Sequence, residues 1–207
     1  MAQKGIFSNG VNILLGVSGG VAAYKVIDLA SKLVAAGASV GTVMTEAACQ
    51  LVGPKSFEAV THSAVYTSLW ANHVFQLEKP GHLNLAGWAD IVVVAPATAD
   101  IIGKIANGIC DDLLTTTLCA CWPLIKSGSA LLAPAMNNNM WDNSAVQHNV
   151  KQIKQMGFKL IGPVKGRLAC GTEAIGRMAE PQDTFKAIEK IASKINRRVR
   201  RERRETN

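Results

Sequence analysis

Short apolar runs alternate with helical patterns along this chain of 207 residues, and that alternation constrains its fold more than any other feature. Residues 91–95 are continuously apolar, as strands are when helices cover both faces of a parallel sheet. Four other strand-like runs occur, at residues 11–17, 39–44, 130–133 and 159–161. Strands that alternate with helices are joined by right-handed crossovers. The sequence therefore predicts an α/β fold, a single-domain doubly wound parallel sheet (Rossmann-like or flavodoxin-like) with helices on both faces.

Helical patterns fill the segments between the strand-like runs. Apolar residues follow a helical spacing from Val21 to Leu33, and Gly37 is a suitable cap. Further helices are predicted at residues 99–106, at 113–121 with Asp111 or Asp112 as the amino-terminal cap, between Asn143 and Gly157, and from Pro181 to Ile195. The segment 163–178 contains several glycines and is predicted to be an irregular loop, of the length that functional lids or disordered segments have.

The composition restricts the class of protein. A hydrophobic content of 48% in 207 residues suits one well-buried core, so a single domain is predicted at residues 1–195. No apolar run approaches the roughly 20 residues of a membrane span, and no signal-like core is found, so we expect no membrane partner and a cytoplasmic location. The five cysteines are odd in number and irregularly spaced, which argues against a disulfide framework or a metal site.

The net charge of +7 is concentrated at the carboxyl end. Six arginines between Arg197 and Arg204, offset by Glu202 and Glu205, contribute +4 of it. A terminal run of charge is typically a solvated extension, so residues 196–207 are predicted to be a basic, disordered tail without a nucleic-acid partner. An arm that binds nucleic acid or another partner is the alternative.

Residues 131–141, LLAPAMNNNMW, place polar amides directly after a buried strand. Pro134 cannot donate the next ladder hydrogen bond, so the strand should stop there, at the edge where open α/β sheets bind ligands. Asn137 and its two neighbours supply donors and acceptors beside the soft apolar surface of Met136 and Met140. This mixture suits a planar ligand with polar edges. The alternative is an ordinary loop in which the asparagines cap a helix.

Two turns offer backbone amides to a phosphate. The first is residues 16–20, GVSGG, which lacks the Gly-Lys-Ser/Thr of a P-loop and does not match GxGxxG. Thr45 follows the second strand where a ribose-binding acid is expected, so a mononucleotide such as FMN fits better than NAD. The second is residues 96–100, PATAD. Tight strand-to-helix packing explains the first turn equally well, and helix capping explains the second.

Two single side chains are candidates for a chemical role. His82 follows Pro80-Gly81 and precedes several apolar residues just upstream of a core strand, where a half-buried imidazole can act as a base near neutral pH. Cys170 lies in a glycine-rich loop near Arg167, whose guanidinium favours the thiolate. A structural histidine and a bystander thiol are the alternatives, and the spacing alone leaves both open.

Together these motifs resemble the homo-oligomeric flavin-containing cysteine decarboxylases. The matching features are the 16–21 turn, His82 before Trp-Ala-Asp, the 96–99 loop, the Pro-x-Met-Asn-x-x-Met-Trp motif at 134–141, and residues 168–171 with 176–178. The resemblance implies that FMN contacts Ser18, Gly19, Gly20, Val21, Thr45, Thr98, Ala99, Asp100, Ile101 and Ala135. It implies His82 as the catalytic base and Cys170 as a proton donor. It assigns substrate binding to Asn137, which holds a carboxylate, and to a flap of Arg167, Leu168, Ala169 and Met178.

The resemblance also implies a reaction and an assembly. The expected reaction is FMN-dependent decarboxylation of 4′-phosphopantothenoylcysteine to 4′-phosphopantetheine in coenzyme A biosynthesis, by oxidation to a thioaldehyde, loss of CO₂ and re-reduction of the enethiolate. The expected assembly is a homotrimer or an assembly of trimers. Alternatives are a peptidyl-cysteine decarboxylase, which stops at the enethiol, and a non-catalytic flavin-binding regulatory protein. Asp100 and Ala174 depart from residues common in the family, and Ala174 would strain the flap if its φ had to be positive.

Overall fold

The computed structural model describes Phe7 and residues 10–70, 81–167, 169 and 171–205, with side chains described up to Ile195 and at Arg197. One sheet has six parallel strands in the order β3-β2-β1-β4-β5-β6. The strands are β1 (Asn12–Val17), β2 (Ser39–Met44), β3 (Val65–Tyr66), β4 (Ile91–Ala97), β5 (Ala130–Pro134) and β6 (Lys159–Leu160). This is the strand order of the Rossmann fold, and it confirms the predicted doubly wound class.

Helices cover both faces of the sheet. They are α1 (Ala23–Ala35), α2 (Glu46–Cys49), α3 (Pro54–Thr61), α4 (Gly81–Trp88), α5 (Ala99–Asn107), α6 (Leu113–Ala120), α7 (Trp122–Lys126), α8 (Asn138–Trp141), α9 (Ser144–Met156) and α10 (Pro181–Glu205). Helices α1, α3 and α10 share one hydrophobic core with the sheet. Helices α4, α5, α6, α7 and α9 share a second core on the opposite face. The strands between them are buried on both sides, which explains their continuous apolar character.

The helix boundaries agree with the capping residues read from the sequence. Asp112 caps α6 in a capping box with Thr115, and Asn143 Oδ1 accepts a hydrogen bond of 2.9 Å from Ala145 N at the start of α9. Gly157 ends α9 with a φ of 116°, a conformation that glycine adopts without strain. The short elements β3, α2, α3, α4, α7 and α8 were not predicted, because segments of two to eight residues carry too little periodicity.

Three segments differ from the prediction. Segment 163–178 was predicted as irregular, but it contains an antiparallel hairpin of β7 (Val164–Arg167) and β8 (Glu173–Arg177). Pro96 was expected to close its strand, but β4 continues to Ala97 through an irregularity in its pairing with β5, a place where sheets tolerate proline. The predicted disordered tail differs as well, since helical backbone continues through Glu205; arginine and glutamate are good helix formers. The division at residue 195 stays a prediction.

The helices within the described ranges include none that is both long and apolar enough to cross a bilayer.

Cys121 should resist thiol reagents while exposed cysteines react. Its burial in the second core raises the pKa of this thiol to about 12, so at pH 8 only about one molecule in 10⁴ carries the nucleophilic thiolate. Alkylation of the native protein by iodoacetamide, followed by peptide mass mapping, should modify the exposed Cys119 and leave Cys121 unmodified. Both should react after denaturation. Equal labelling of the two cysteines in the native protein would contradict the burial of Cys121.

Candidate functional site

A cavity of about 1380 Å³ opens at the carboxyl edge of the sheet, where β1 and β4 lie side by side. The chain leaves β1 toward α1 on one face and leaves β4 toward α5 on the other face, so the two loops diverge and leave a crevice. This is the topological switch point, where open α/β sheets bind ligands. The loops after β2 and β5 and the β7–β8 hairpin complete its wall.

Hydrogen bonds of Ser18 tie the two loops of the crevice together. Its side chain is 2% exposed, and Oγ donates to the carbonyl of Pro96 at 2.7 Å while it accepts from Thr98 N at 3.3 Å. Thr98 in turn caps α5, since its Oγ1 accepts from Ile101 N at 3.3 Å. The starts of α1 and α5 are thereby held at a fixed separation, with both amino termini at the cavity.

Gly19 and Gly20 let neighbouring chain segments approach closely. A Cβ on Gly19 would lie 2.4 Å from the Cβ of Ala47, and a Cβ on Gly20 would lie 3.2 Å from Thr98 Cγ2. Real Cβ atoms do not come as close as the first of these distances, so a side chain at residue 19 would push α2 away. Close packing therefore explains the glycine at residue 19. The turn can also contact a ligand, because Gly19 and Gly20 both line the cavity.

Backbone amides at the two helix starts have unused hydrogen-bonding capacity. Within the described part of the chain, the amides of Gly19, Val21 and Ala22 donate to no other group, and neither do those of Ala99 and Asp100. Such amides at helix amino termini bind phosphate. Thr45 Oγ1, which caps α2, and the apolar Met136 and Met140 lie on the same cavity. These donors and this apolar surface fit the phosphate and the ring system of FMN.

The asparagine loop after β5 combines the two roles considered from sequence. Asn137 caps α8 by accepting from Asn139 N at 2.8 Å, and Asn138 Nδ2 donates to Asn139 Oδ1 at 3.0 Å. Asn137 also lines the cavity, which its two asparagine neighbours do not. Met136 N donates to Gly176 O at 2.9 Å and fastens the loop to β8. The cap holds the Asn137 side chain in one orientation at the cavity wall.

Two acidic residues at the α5 side of the cavity form ion pairs with the same lysine. Lys104 Nζ lies 3.0 Å from Asp111 Oδ2 and 3.4 Å from Asp100 Oδ2. The hydrogen bond to Asp111 raises the pKa of Lys104, and the same bond lowers the pKa of Asp111. Asp100, one of the two departures from residues common in the family, therefore lies beside a cation, which it shares with Asp111.

Most of the residues assigned to the site from sequence lie on this cavity. They are Ser18, Gly19, Gly20, Val21, Thr45, Thr98, Asp100, Ala135, Asn137, Arg167, Ala169 and Met178. Ala99 and Ile101 do not line it, and the Ile101 side chain is fully buried in the second core, so a ligand reaches at most its backbone. Met178 is only 1% exposed and lines the cavity. Its assignment to the flap stays a prediction.

His82 is the main difference between the predicted and the observed site. It lies half-buried on the first turn of α4 and does not line the cavity of its own chain. Helix α4 packs against α6 on the face of the second core. The predicted site residues Leu168 and Cys170 lie outside the described residues. Ala174, by contrast, lies in β8 opposite Gly166 and has no positive φ, so it does not strain the hairpin.

Sequence reasoning missed several charged residues of the cavity wall. They are Lys25, Glu46, Lys104, Asp111, Asp112 and Arg177. Lys25 could have been found from its place on the first turn after the glycine loop. Lys104 and Arg177 pair with residues nearby in sequence, Asp111 and Glu180, and belong to no motif that marks them as site residues; only the folded structure shows that both line the cavity.

Comparison with known proteins places the whole fold in one family. The sequence model of the family described as Flavoprotein matches residues 4–193. The chain is 46% identical over 185 residues to the coenzyme A biosynthesis bifunctional protein CoaBC of Bacillus subtilis (strain 168), covering 88% of this chain and 43% of that protein. It is 41% identical over 172 residues to the protein of the same description from Escherichia coli (strain K12), covering 83% of this chain and 41% of the relative. The chain thus spans less than half the length of these curated relatives.

Solved structures give the same result. A PPC decarboxylase carrying a cysteine-to-serine mutation, complexed with pantothenoylaminoethenethiol, matches with a TM-score of 0.74 and 32% identity, covering 86% of this chain and 96% of that one. The FMN-dependent cysteine decarboxylase SpaF matches with a TM-score of 0.72 and 33% identity, over 88% and 97% of the two chains. The family resemblance inferred from the motifs is confirmed: this chain belongs to the flavoprotein family.

Proposed function

We propose that this chain is a carbon–carbon lyase (carboxy-lyase) that uses FMN to decarboxylate 4′-phosphopantothenoylcysteine to 4′-phosphopantetheine in coenzyme A biosynthesis. The observation that carries the proposal is the cavity at the β1–β4 switch point, where free helix-terminal amides face the Asn137 loop. The 46% identity to a coenzyme A biosynthesis protein and the 32% identity to a PPC decarboxylase structure support this choice of substrate.

FMN would be held by the groups that fit it. The amides of Gly19, Val21 and Ala22 and the Thr45 hydroxyl would bind its phosphate, and Ala135 with Met136 would contact its ring. When bound, FMN supplies reversible two-electron oxidation and reduction of the cysteine-derived part of the substrate.

The side chains of the site have separate tasks in this proposal. Asn137, oriented by its cap to Asn139, donates its amide N–H to the substrate carboxylate and fixes the carbon that loses CO₂. His82 accepts the proton released as the substrate is oxidised, and Cys170 returns a proton to the enethiolate. Arg167 and Ala169 on the hairpin side of the cavity exclude water from the substrate.

A homotrimer or an assembly of trimers would complete this site. In a single chain, His82 does not line the cavity. Leu83 and Trp88 on the same helix are exposed to solvent over 44% and 37% of their surface. A second copy packed on this face would bury that apolar surface and bring its own groups to the cavity mouth. The cytoplasmic location expected from the sequence stays a prediction.

The proposal is tested by mixing purified, FMN-loaded protein with 4′-phosphopantothenoylcysteine and measuring CO₂ and product. Release of CO₂ with 4′-phosphopantetheine as the product is expected. Accumulation of an enethiol instead of the saturated thiol would favour the peptidyl-cysteine type of decarboxylase. A protein that binds FMN and releases no CO₂ from the substrate would overturn the proposal in favour of a regulatory flavin-binding protein.

Changing Cys170 to serine should separate decarboxylation from the final protonation. Because serine is a much weaker acid than cysteine, CO₂ release should continue while an enethiol, 2 Da lighter than the normal product, accumulates. Mass spectrometry of the product measures this change. The matched control is Cys119→Ser, an exposed cysteine outside the cavity, for which the saturated product is expected. A saturated product from Cys170→Ser would contradict the role of Cys170.

A further inference from the structure

We propose that Lys25 and Arg177 form a subsite for a phosphate monoester at the hairpin side of the cavity. The inference rests on the proposed function for the identity of its ligands, since both FMN and the proposed substrate carry a phosphate monoester. Neither residue was assigned a role from the sequence.

The two cations share one carboxylate. Lys25 Nζ lies 3.0 Å from Glu180 Oε1, and Arg177 Nη2 hydrogen bonds to the same oxygen. Lys25 and Arg177 line the cavity, whereas Glu180 does not. The carboxylate therefore lies behind the cations, and one unit of positive charge is left facing the cavity.

Burial strengthens the effect of this excess charge. The Lys25 side chain is 15% exposed, and its desolvation together with the charge of Arg177 lowers the pKa of Lys25. An anion placed between the two cations would offset both contributions. Arg167, which lines the same cavity from β7, adds a third positive charge. The charge on the opposite side of the cavity is different, because there Lys104 is paired with two carboxylates, those of Asp100 and Asp111.

The hairpin holds Arg177 in a preorganised position. A Cβ on Gly166 would lie 2.9 Å from Arg177 Nη1 and 3.0 Å from its Cδ, so the arginine side chain lies directly across the bare backbone of the neighbouring strand. A guanidinium fixed in this way loses little conformational entropy when it binds an anion. Phosphate matches this geometry, since it carries nearly two negative charges at pH 7 and accepts hydrogen bonds from arginine and lysine together.

The test compares ligand pairs that differ only in the phosphate. Binding of 4′-phosphopantetheine and pantetheine to the FMN-loaded protein is measured by calorimetry, and dissociation of FMN and riboflavin from the reconstituted protein is followed by flavin fluorescence. Lys25→Met removes charge-assisted hydrogen bonds to the phosphate. In one of the two pairs, the dissociation constant of the phosphorylated ligand should therefore rise by about 10-fold or more, and that of the ligand without phosphate by less than about 2-fold. The pair that shows this selectivity identifies the source of the phosphate.

Three further variants make the result decisive. Arg177→Gln should show the same selectivity as Lys25→Met, and Lys25→Arg should restore most of the phosphorylated ligand's affinity. The matched control Lys104→Met removes a cavity cation whose single charge is already exceeded by the two carboxylates beside it, so its effect on binding should be the same for both members of each pair. The subsite is overturned if Lys25→Met weakens the binding of both members of each pair equally, or if it weakens the binding of neither. Absence of CO₂ release by the wild-type protein would instead refute the proposed function, and the flavin pair would still test the subsite.

Discussion

His82→Asn is expected to lower the turnover of 4′-phosphopantothenoylcysteine by about 10²–10⁴-fold, the usual contribution of a general base, with FMN still bound. Asparagine keeps the size and a hydrogen-bonding group of the side chain but cannot hold a proton. The flavin should remain because His82 lies outside the cavity that would bind it. The measurement is the rate of CO₂ release together with the flavin absorbance of the variant.

A second histidine provides the matched control for this experiment. His62 ends α3 with a φ of 54°, a left-handed conformation that asparagine tolerates well. His62→Asn should therefore fold normally and keep wild-type turnover. If His82→Asn retained turnover within about twofold of the control, far less than a general base contributes, its assignment as the base would be wrong.

Gly19→Ala is expected to abolish tight FMN binding and to destabilise the protein. The added Cβ would meet the Ala47 Cβ at 2.4 Å and the Ala47 carbonyl carbon at 3.1 Å, so the loop after β1 and helix α2 must separate. Overpacking of this kind costs about 1–3 kcal/mol in the free energy of unfolding. The same movement displaces the amides that fit the phosphate of FMN, so its dissociation constant should rise by about 10-fold or more.

Two variants control for a general effect of alanine. Gly53→Ala adds a Cβ with no atom within 4 Å at a negative φ, and it should change the free energy of unfolding by less than about 0.5 kcal/mol. Gly19→Ala combined with Ala47→Gly removes the shortest contact and should recover part of the FMN affinity. Denaturant unfolding and flavin fluorescence measure the two quantities. Wild-type FMN affinity in Gly19→Ala would show that the close packing is not needed for the site.

The same two positions test whether the site is shared between subunits. If His82 serves the cavity of a neighbouring chain, mixed assemblies of His82→Asn and Gly19→Ala contain sites with an intact cavity and an intact neighbouring histidine. With one donor subunit per site, random mixing in equal amounts makes such sites about a quarter of the total. Recovery of activity on mixing two inactive variants is therefore expected. No recovery in verified mixed assemblies would place His82 and the cavity in the same chain.

Much of the fold followed from local patterns. The predicted caps at Asn143 and Gly157 are correct, and of the two candidates Asp111 and Asp112 the structure has Asp112, because a capping residue acts on amides within a few positions of itself. The buried strands were recognised because burial on both faces leaves an unbroken apolar run. The β7–β8 hairpin was missed because its strands are short, mostly exposed and rich in glycine and charge, and so show no alternation.

In the candidate site, too, some features follow from local sequence and others from tertiary contacts. The sequence by itself determined the glycine turn, the Thr98 cap and the Asn137 loop, since each is formed by neighbouring residues at the end of a strand. Only the tertiary structure decided which of these groups meet: it joined Ser18 to Pro96, 78 positions away, and Lys25 to Glu180, 155 positions away. It also left His82 outside the lining of its own chain's cavity. Hydrogen bonds and charge pairs between distant segments depend on strand order and crossover direction, and these are set by the packing of the whole sheet.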